Sequence, residues 1–186
     1  FTPGRNWMDE ARRLEREIEA LEREITTKQV QLLELNRSHI STVRNCVFLG
    51  EEGLTYLSEL FSHYSSLVLF HVMSDCEFCD VWLSTIQPMA SRLQGNVALA
   101  VISPEPLEQL MVRANGQGWT IPCYSSASNS FSEDMGFLGV DSHAGVAGIV
   151  VCQLEAEEIY IAAKAPFGPA PFCSMWIFAE LLNGYT

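Results

Sequence analysis

One stretch constrains the fold more than any other: Ser65 to Trp82, SSLVLFHVMSDCEFCDVW. Leu67-Val68-Leu69-Phe70 is an apolar run of strand formers, and Ser74-Asp75 is a polar break after it. Cys76-Glu77-Phe78-Cys79 comes next, followed by a segment with helical spacing. A buried strand, a turn and a helix, with a C-x-x-C pair at the turn, is the layout of a redox site. A helix start presents unpaired backbone N–H groups and the positive end of its dipole. Both favour a thiolate, the reactive form of cysteine. The second thiol lies about one turn on and can reach a mixed disulfide formed at the first. Cys76 therefore reads as the exposed nucleophile and Cys79 as the resolving thiol.

Two plainer readings stand beside this one: half of a zinc site, or two core cysteines on one helix. A structural zinc site needs a second pair or two histidines at regular spacing. Here Cys46, Cys123, Cys152 and Cys173 are scattered singly, as are His39, His63, His71 and His143.

A chain of 186 residues fits one compact domain plus an appendage. Its 48% hydrophobic content is enough for a sizeable core. No apolar run approaches the ~20 residues of a membrane helix. Six cysteines are too sparse for a small disulfide scaffold, so a reducing compartment, the cytoplasm, is expected. No signal peptide is legible; the residues open on Phe1 rather than Met, which leaves a trimmed leader open. The net charge is −12, and nearly all of it falls after residue 40, where Arg44, Arg92, Arg113 and Lys164 are the only basic side chains. Such a body repels phosphate backbones and anionic lipid, which argues against nucleic acid and membrane as partners.

Residues 7 to 36 read as one long helix. Ala11, Ile18, Ile25 and Leu32 recur at one heptad position, and Trp7, Leu14, Leu21 and Leu35 at another, with Lys28 breaking the series. These are the a and d positions of a coiled-coil seam. Glu10, Glu17 and Glu24 fall at g and Glu15 and Glu22 at e, so a self-paired parallel coil sets glutamate against glutamate. The expectation is a helical extension over 1–40 whose seam packs on its own domain or on a neighbouring subunit, with a homodimer through this helix one outcome. A simple amphipathic capping helix explains most of the same pattern.

Residues 41–186 read as the main domain. Expected elements are a strand at Val43–Phe48, a helix at Glu51–Ser62, the strand through Leu67, and a helix from Cys79 kinked at Pro88. A strand at Asn96–Ser103 and a helix at Pro104–Asn115 come next. Trp119–Tyr124, interrupted by Pro122, is an edge strand or no true strand. A helical turn at Phe131–Phe137 precedes an antiparallel pair, Gly145–Gln153 and Ile159–Ala163. The chain closes on a helix at Phe172–Leu182. Alternating strands and helices predict an α/β fold with helices on both faces of one sheet. A closing hairpin and helix after a strand–C-x-x-C–helix unit is the thioredoxin-like arrangement, and Cys76 falls at the carboxyl end of its strand, where such sheets carry their sites.

The chain also resembles a known group. The residues that carry this are Trp7 with Ala11-Arg12, then Gly53, Leu57 and Leu60-Phe61, then His71 and Met73 as H-x-M. Cys76, Cys79 and Trp82 follow, then Ser103 with Pro106-Leu107 as S-x-x-P-L, and Gly118-Trp119, Pro122 and Ser125-Ser126 as G-W-x-x-P-x-x-S-S. Phe131, Asp134 and Gly136-Phe137 complete the series. In order and spacing they resemble the thioredoxin-like "domain of unknown function 899" family, whose members are labelled predicted dithiol-disulfide isomerases. Cys123 stands where that family tends to have tryptophan, and the region between Phe137 and Gly145 looks shorter than the family's. Thioredoxins place a cis-proline before the strand after the long crossover; here that strand begins Ala144-Gly145-Val146-Ala147-Gly148, with no proline.

The resulting expectation is a thiol-disulfide oxidoreductase using Cys76 and Cys79, with a protein or small-molecule thiol or disulfide as substrate and no cofactor beyond the dithiol. The alternatives are a redox-inert thioredoxin-like interaction module and a peroxiredoxin-type peroxidase. Peroxiredoxins place a threonine three residues before the reactive cysteine and an arginine beside it. Here Met73 holds the first position and no arginine is near in sequence. Asp75, Glu77 and Asp80 flank the pair, and negative charge opposes the helix start by raising a thiol's pKa; side-chain direction decides between them. His71 reads as a core histidine, or else as a proton carrier for the dithiol.

Overall fold

The computed structural model describes residues 4–38, 41–74, 76–93, 95–138 and 146–166. The chain divides into two units, Phe1–His39 and Ile40–Thr186. The first is one helix, α1 (Gly4–Ser38). Its seam side chains Trp7, Leu14, Ile18, Leu21, Ile25, Leu32 and Leu35 are all exposed. Arg13 reaches Glu10 at 2.6 Å and Glu17 at 3.9 Å, so two of the g-position glutamates have a cation on their own helix. The expected edge-to-edge repulsion is weakened there by an i,i+3 and i,i+4 pairing that the heptad register alone does not display.

The second unit begins with strands β1 (Ser41–Val43), β2 (Val47–Gly50) and β3 (Gly53–Tyr56). A 3-10 turn at Glu59–Phe61 leads to β4 (Ser66–His71), then α2 (Glu77–Leu93), β5 (Ala98–Ser103) and α3 (Leu107–Gln117). β6 (Cys123–Ser125), α4 (Phe131–Asp134), β7 (Gly148–Glu155) and β8 (Glu158–Pro166) complete the described elements. The described strands form one eight-stranded sheet in the order β1-β8-β7-β4-β5-β6-β2-β3. β4, β5 and β6 run parallel, and every other pairing is antiparallel.

Every residue of β4 and β5 is buried, as strands covered on both faces must be. Alternation divides their side chains. Leu67, Leu69, Ala100 and Ile102 join Phe48, Phe61, Phe131, Phe137 and Val150 in one core cluster. Phe70 points the other way, to the edge of the Trp82 ring of α2, with centroids 5.8 Å apart. Each such Leu or Phe contributes on the order of 2 kcal/mol by leaving water.

Three expectations are corrected. The predicted helix at Glu51–Ser62 is instead β3 followed by the 3-10 turn. Gly50 pairs with Gly53 across a two-residue turn, and Gly53 has φ +115°, which a side chain resists. Leu54, assigned to the apolar helix face, is 74% exposed. The single predicted strand Val43–Phe48 is two strands at opposite ends of the sheet, β1 against β8 and β2 against β6. Of Trp119–Tyr124 only Cys123 and Tyr124 are in a strand, β6, which extends to Ser125 and lies inside the sheet between β5 and β2. Pro122 precedes the strand, so its missing N–H falls outside β6, and its carbonyl accepts from Val101 N–H at 2.8 Å. α2 continues through Pro88 to Leu93. The β7–β8 hairpin turns where expected, through Ala156 and Glu157, both at positive φ. The expected helix at Phe172–Leu182 lies outside the described residues. Among the described residues no helix is long and apolar enough to cross a membrane.

Candidate active site

The dithiol sits where β4 hands over to α2. Cys76 precedes the helix, and Cys79 lies in its first turn. The two are joined as a disulfide, with Cα atoms 5.2 Å apart. Cys79 is fully buried and Cys76 is half-buried, the asymmetry expected of a resolving and an attacking thiol. Cys76 also caps the helix. Its Sγ accepts from the Cys79 N–H at 3.2 Å, and its carbonyl accepts from the Asp80 N–H at 3.3 Å. An N–H aimed at sulfur stabilises the thiolate left when the disulfide opens.

The other described cysteines differ in kind. Cys46, Cys123 and Cys152 are free and buried. Burial pushes the Cys123 and Cys152 thiols up to about 12, and for Cys123 the carboxylates Glu51 and Glu105 add to the effect. Burial, then Asp134, raises Cys46 too. Cys123 donates its S–H to the Ile121 carbonyl at 3.4 Å and lies in β6. Among the described residues no group of three or more His, Cys, Asp or Glu side chains is arranged to hold a metal ion.

His71 belongs to the core. It is fully buried, its Nε2 hydrogen bonds the Ser132 hydroxyl at 2.8 Å, and its ring stacks on Phe137 at 4.5 Å. Desolvation lowers its pKa to about 4, against a weaker opposing pull from the Val146 backbone. Its neighbours are thus Ser132 and Phe137, which supports the core reading over the proton carrier.

The residue that sequence reasoning missed is Arg113. It reaches the dithiol turn from α3, and its side chain is only 13% exposed. Its Nε donates to Asp80 Oδ1 at 2.6 Å and its Nη1 to Glu105 Oε1 at 2.9 Å. The same guanidinium donates to the Met73 carbonyl at 2.7 Å and the Cys76 carbonyl at 3.4 Å. The Trp119 ring lies 5.2 Å from its central carbon. Arg113 follows Leu110 by three residues and precedes Ala114, both buried, so its position on an inward helix face was legible. Its target was not, because 37 residues separate it from Cys76.

Dispersed sequence motifs also meet here. Ser103 donates its hydroxyl to Glu105 at 2.9 Å, which orients the carboxylate toward Arg113. Ser125 donates to the Glu105 carbonyl at 2.6 Å, and Ser126 to the Ser103 carbonyl at 3.1 Å. Ser126 in turn hydrogen bonds Ser132, the partner of His71. The S-x-x-P-L and S-S segments thus form one buried polar network at the carboxyl ends of the parallel strands, each member satisfied by the next.

A sheet of this order, with a cysteine pair at the start of the helix after its central strand, defines a thioredoxin-like protein. More particularly, the chain belongs to the family described as bacterial protein of unknown function (DUF899), whose model matches residues 5–163. Its structure is similar to a PrxQ mutant from Xylella fastidiosa, with a TM-score of 0.66 and 11% identity, covering 79% of this chain and 96% of that one. It is also similar to a peroxiredoxin Q mutant from Xanthomonas campestris, at TM-score 0.62 and 10% identity over 76% and 92% of the two chains. The DsbE protein of Chlorobium tepidum matches at TM-score 0.58 and 11% identity over 77% and 95%. No curated protein matches the sequence.

Proposed function

We propose that the protein is a thiol-disulfide oxidoreductase whose working group is the Cys76–Cys79 pair. The observation that carries this is the contrast between Cys76, half-buried with a backbone N–H on its sulfur, and the deeply buried free thiols elsewhere. In the reduced protein the Cys76 thiolate attacks one sulfur of a substrate disulfide, and the other substrate sulfur leaves as a thiolate. The Cys79 thiolate then attacks Cys76 Sγ and releases the second substrate thiolate. The pair ends as the disulfide, and the substrate has gained two electrons. Run in reverse, the same steps oxidise a substrate dithiol. The substrate is a protein or small-molecule disulfide or dithiol, and a reducing cytoplasm fits the three buried cysteines left as free thiols.

The test is equilibration of the full chain in glutathione buffers of graded potential. A reversible two-electron transition confined to Cys76 and Cys79 is expected. A pair that stays in one state across the range refutes the reading and leaves the interaction module. A peroxidase is the second reading, favoured by the peroxiredoxin neighbours and by the arrival of Arg113 at the turn. Against it, Arg113 is engaged by two carboxylates and two carbonyls, and Met73 offers no hydroxyl. Thiol-dependent consumption of hydrogen peroxide, lost in Cys76→Ser, would establish it.

A further inference from the structure

We infer that Arg113 is a positioning residue that sets the reactivity of Cys76 by cancelling Asp80 and tying down the turn that carries the sulfur. The inference deepens the dithiol reading and rests on it. The acidic residues near the pair set a problem: negative charge beside a thiol opposes its ionisation. Asp80 is four residues after Cys76, one helical turn on, and therefore on the same side of α2. Its carboxylate is turned to Arg113, with Nε and Oδ1 2.6 Å apart and both side chains mostly buried. A charge pair screened from water by the fold interacts more strongly than one on the surface.

The second half of the device is mechanical. Arg113 donates to the carbonyls of Met73 and Cys76, which bracket the loop from β4 to the nucleophile. One planar guanidinium thus fixes both ends of the turn and the first turn of α2. Glu105, 6% exposed and held by Ser103, accepts from the same Nη1 that donates to the Met73 carbonyl. Among the described residues, Asp80, Glu105 and Arg113 are the charged side chains joined to this turn. Their sum is one net negative charge with Arg113 present and two without it.

The experiment measures the pH dependence of Cys76 alkylation by iodoacetamide in the reduced full chain, read by peptide mapping. Arg113→Gln is expected to move the reactivity midpoint to higher pH and slow labelling at pH 7 by about tenfold, the equivalent of one pKa unit. Asp80→Asn is expected to move it to lower pH. The double variant should return toward wild type, and Arg113→Lys should lie between wild type and Arg113→Gln, since lysine keeps the charge but not the fork. A purely structural strut predicts neither the opposite shift in Asp80→Asn nor the compensation. If Arg113→Gln does not fold, Asp80→Asn alone decides. Profiles that superimpose on wild type in a folded variant overturn the inference. In that case a wild-type pair that still titrates reversibly with glutathione leaves the oxidoreductase reading intact, whereas a pair without a reversible disulfide removes both.

Discussion

The main-chain N–H of Cys79 points at the sulfur of Cys76 across 3.2 Å, so the buried cysteine of the pair stabilises the half-buried one through its backbone as well as through its thiol. After reduction, the Cys76 thiolate retains that donor and the helix start behind it. Cys76 is therefore expected to react with a thiol-specific alkylator at least tenfold faster than Cys46, Cys123 or Cys152 at neutral pH. Peptide mapping after a brief pulse checks the order. Earlier labelling of Cys123 would place the reactive thiol in β6 instead.

The two cysteines should not be equivalent in function. Cys76→Ser is expected to abolish disulfide exchange with a model substrate such as insulin. Cys79→Ser should instead accumulate mixed disulfides at Cys76, because attack proceeds and resolution cannot. Non-reducing gels followed by mass mapping distinguish the two variants. Equal trapping by both would contradict the assignment of roles.

His71 makes stability depend on pH. Its folded pKa of about 4 lies below the ordinary value of 6.5. Between those values the unfolded chain takes up a proton that the folded chain refuses. The contribution is therefore fully present above pH 6.5 and is lost as pH falls toward 4, by about 3 kcal/mol in all. His71→Gln should flatten the fall in stability between pH 7 and pH 5 relative to wild type. Urea denaturation of both proteins at each pH measures the difference, and parallel losses would show that His71 is not the group responsible.

Gly148 is held to glycine by its neighbours. A Cβ there would collide with the Phe137 ring and come within 2.7 Å of the Ala165 carbonyl oxygen. Gly148→Ala is expected to destabilise the second unit by about 1–3 kcal/mol, the usual cost of overpacking. It should also disturb the stacking of Phe137 on His71, seen as a shift of the His71 ring resonances. An unchanged denaturation midpoint would mean that the hairpin yields freely.

The seam of α1 tests the charge argument. A peptide spanning Gly4–Ser38 is expected to self-associate weakly at pH 7 and more tightly at pH 4, as acid relieves the repulsion between its glutamate-lined edges. Because Arg13 bridges Glu10 and Glu17, Arg13→Gln should weaken association at pH 7 further. Sedimentation at the two pH values checks both. Tight dimers at neutral pH that do not strengthen on acidification would restore a conventional coiled coil.

Local pattern alone was enough for the parts governed by local physics. The apolar run at Leu67–Phe70 read as a buried strand and the C-x-x-C after it as the start of a helix, so the place of Cys76 and Cys79 was legible from spacing. The heptads of α1 and the Glu155–Glu158 turn were legible for the same reason, since their periods and turn residues act over a few positions. What tertiary structure decided was which distant segments meet. Gly50 and Gly53 close the β2–β3 hairpin while β2 also pairs with the distant β6, and three apolar residues at helical spacing were too few to outweigh those pairings. Strands β1 and β2 are three residues apart in sequence yet lie at opposite ends of the sheet, because hydrogen-bond partners come from β8 and β6. Above all, the contest between the helix start and the acidic neighbours turned on the direction of one side chain. Asp80 faces Arg113, which sits on a helix 33 residues away, and no periodicity encodes a contact whose energy is gained only after α2 and α3 have packed on the same sheet.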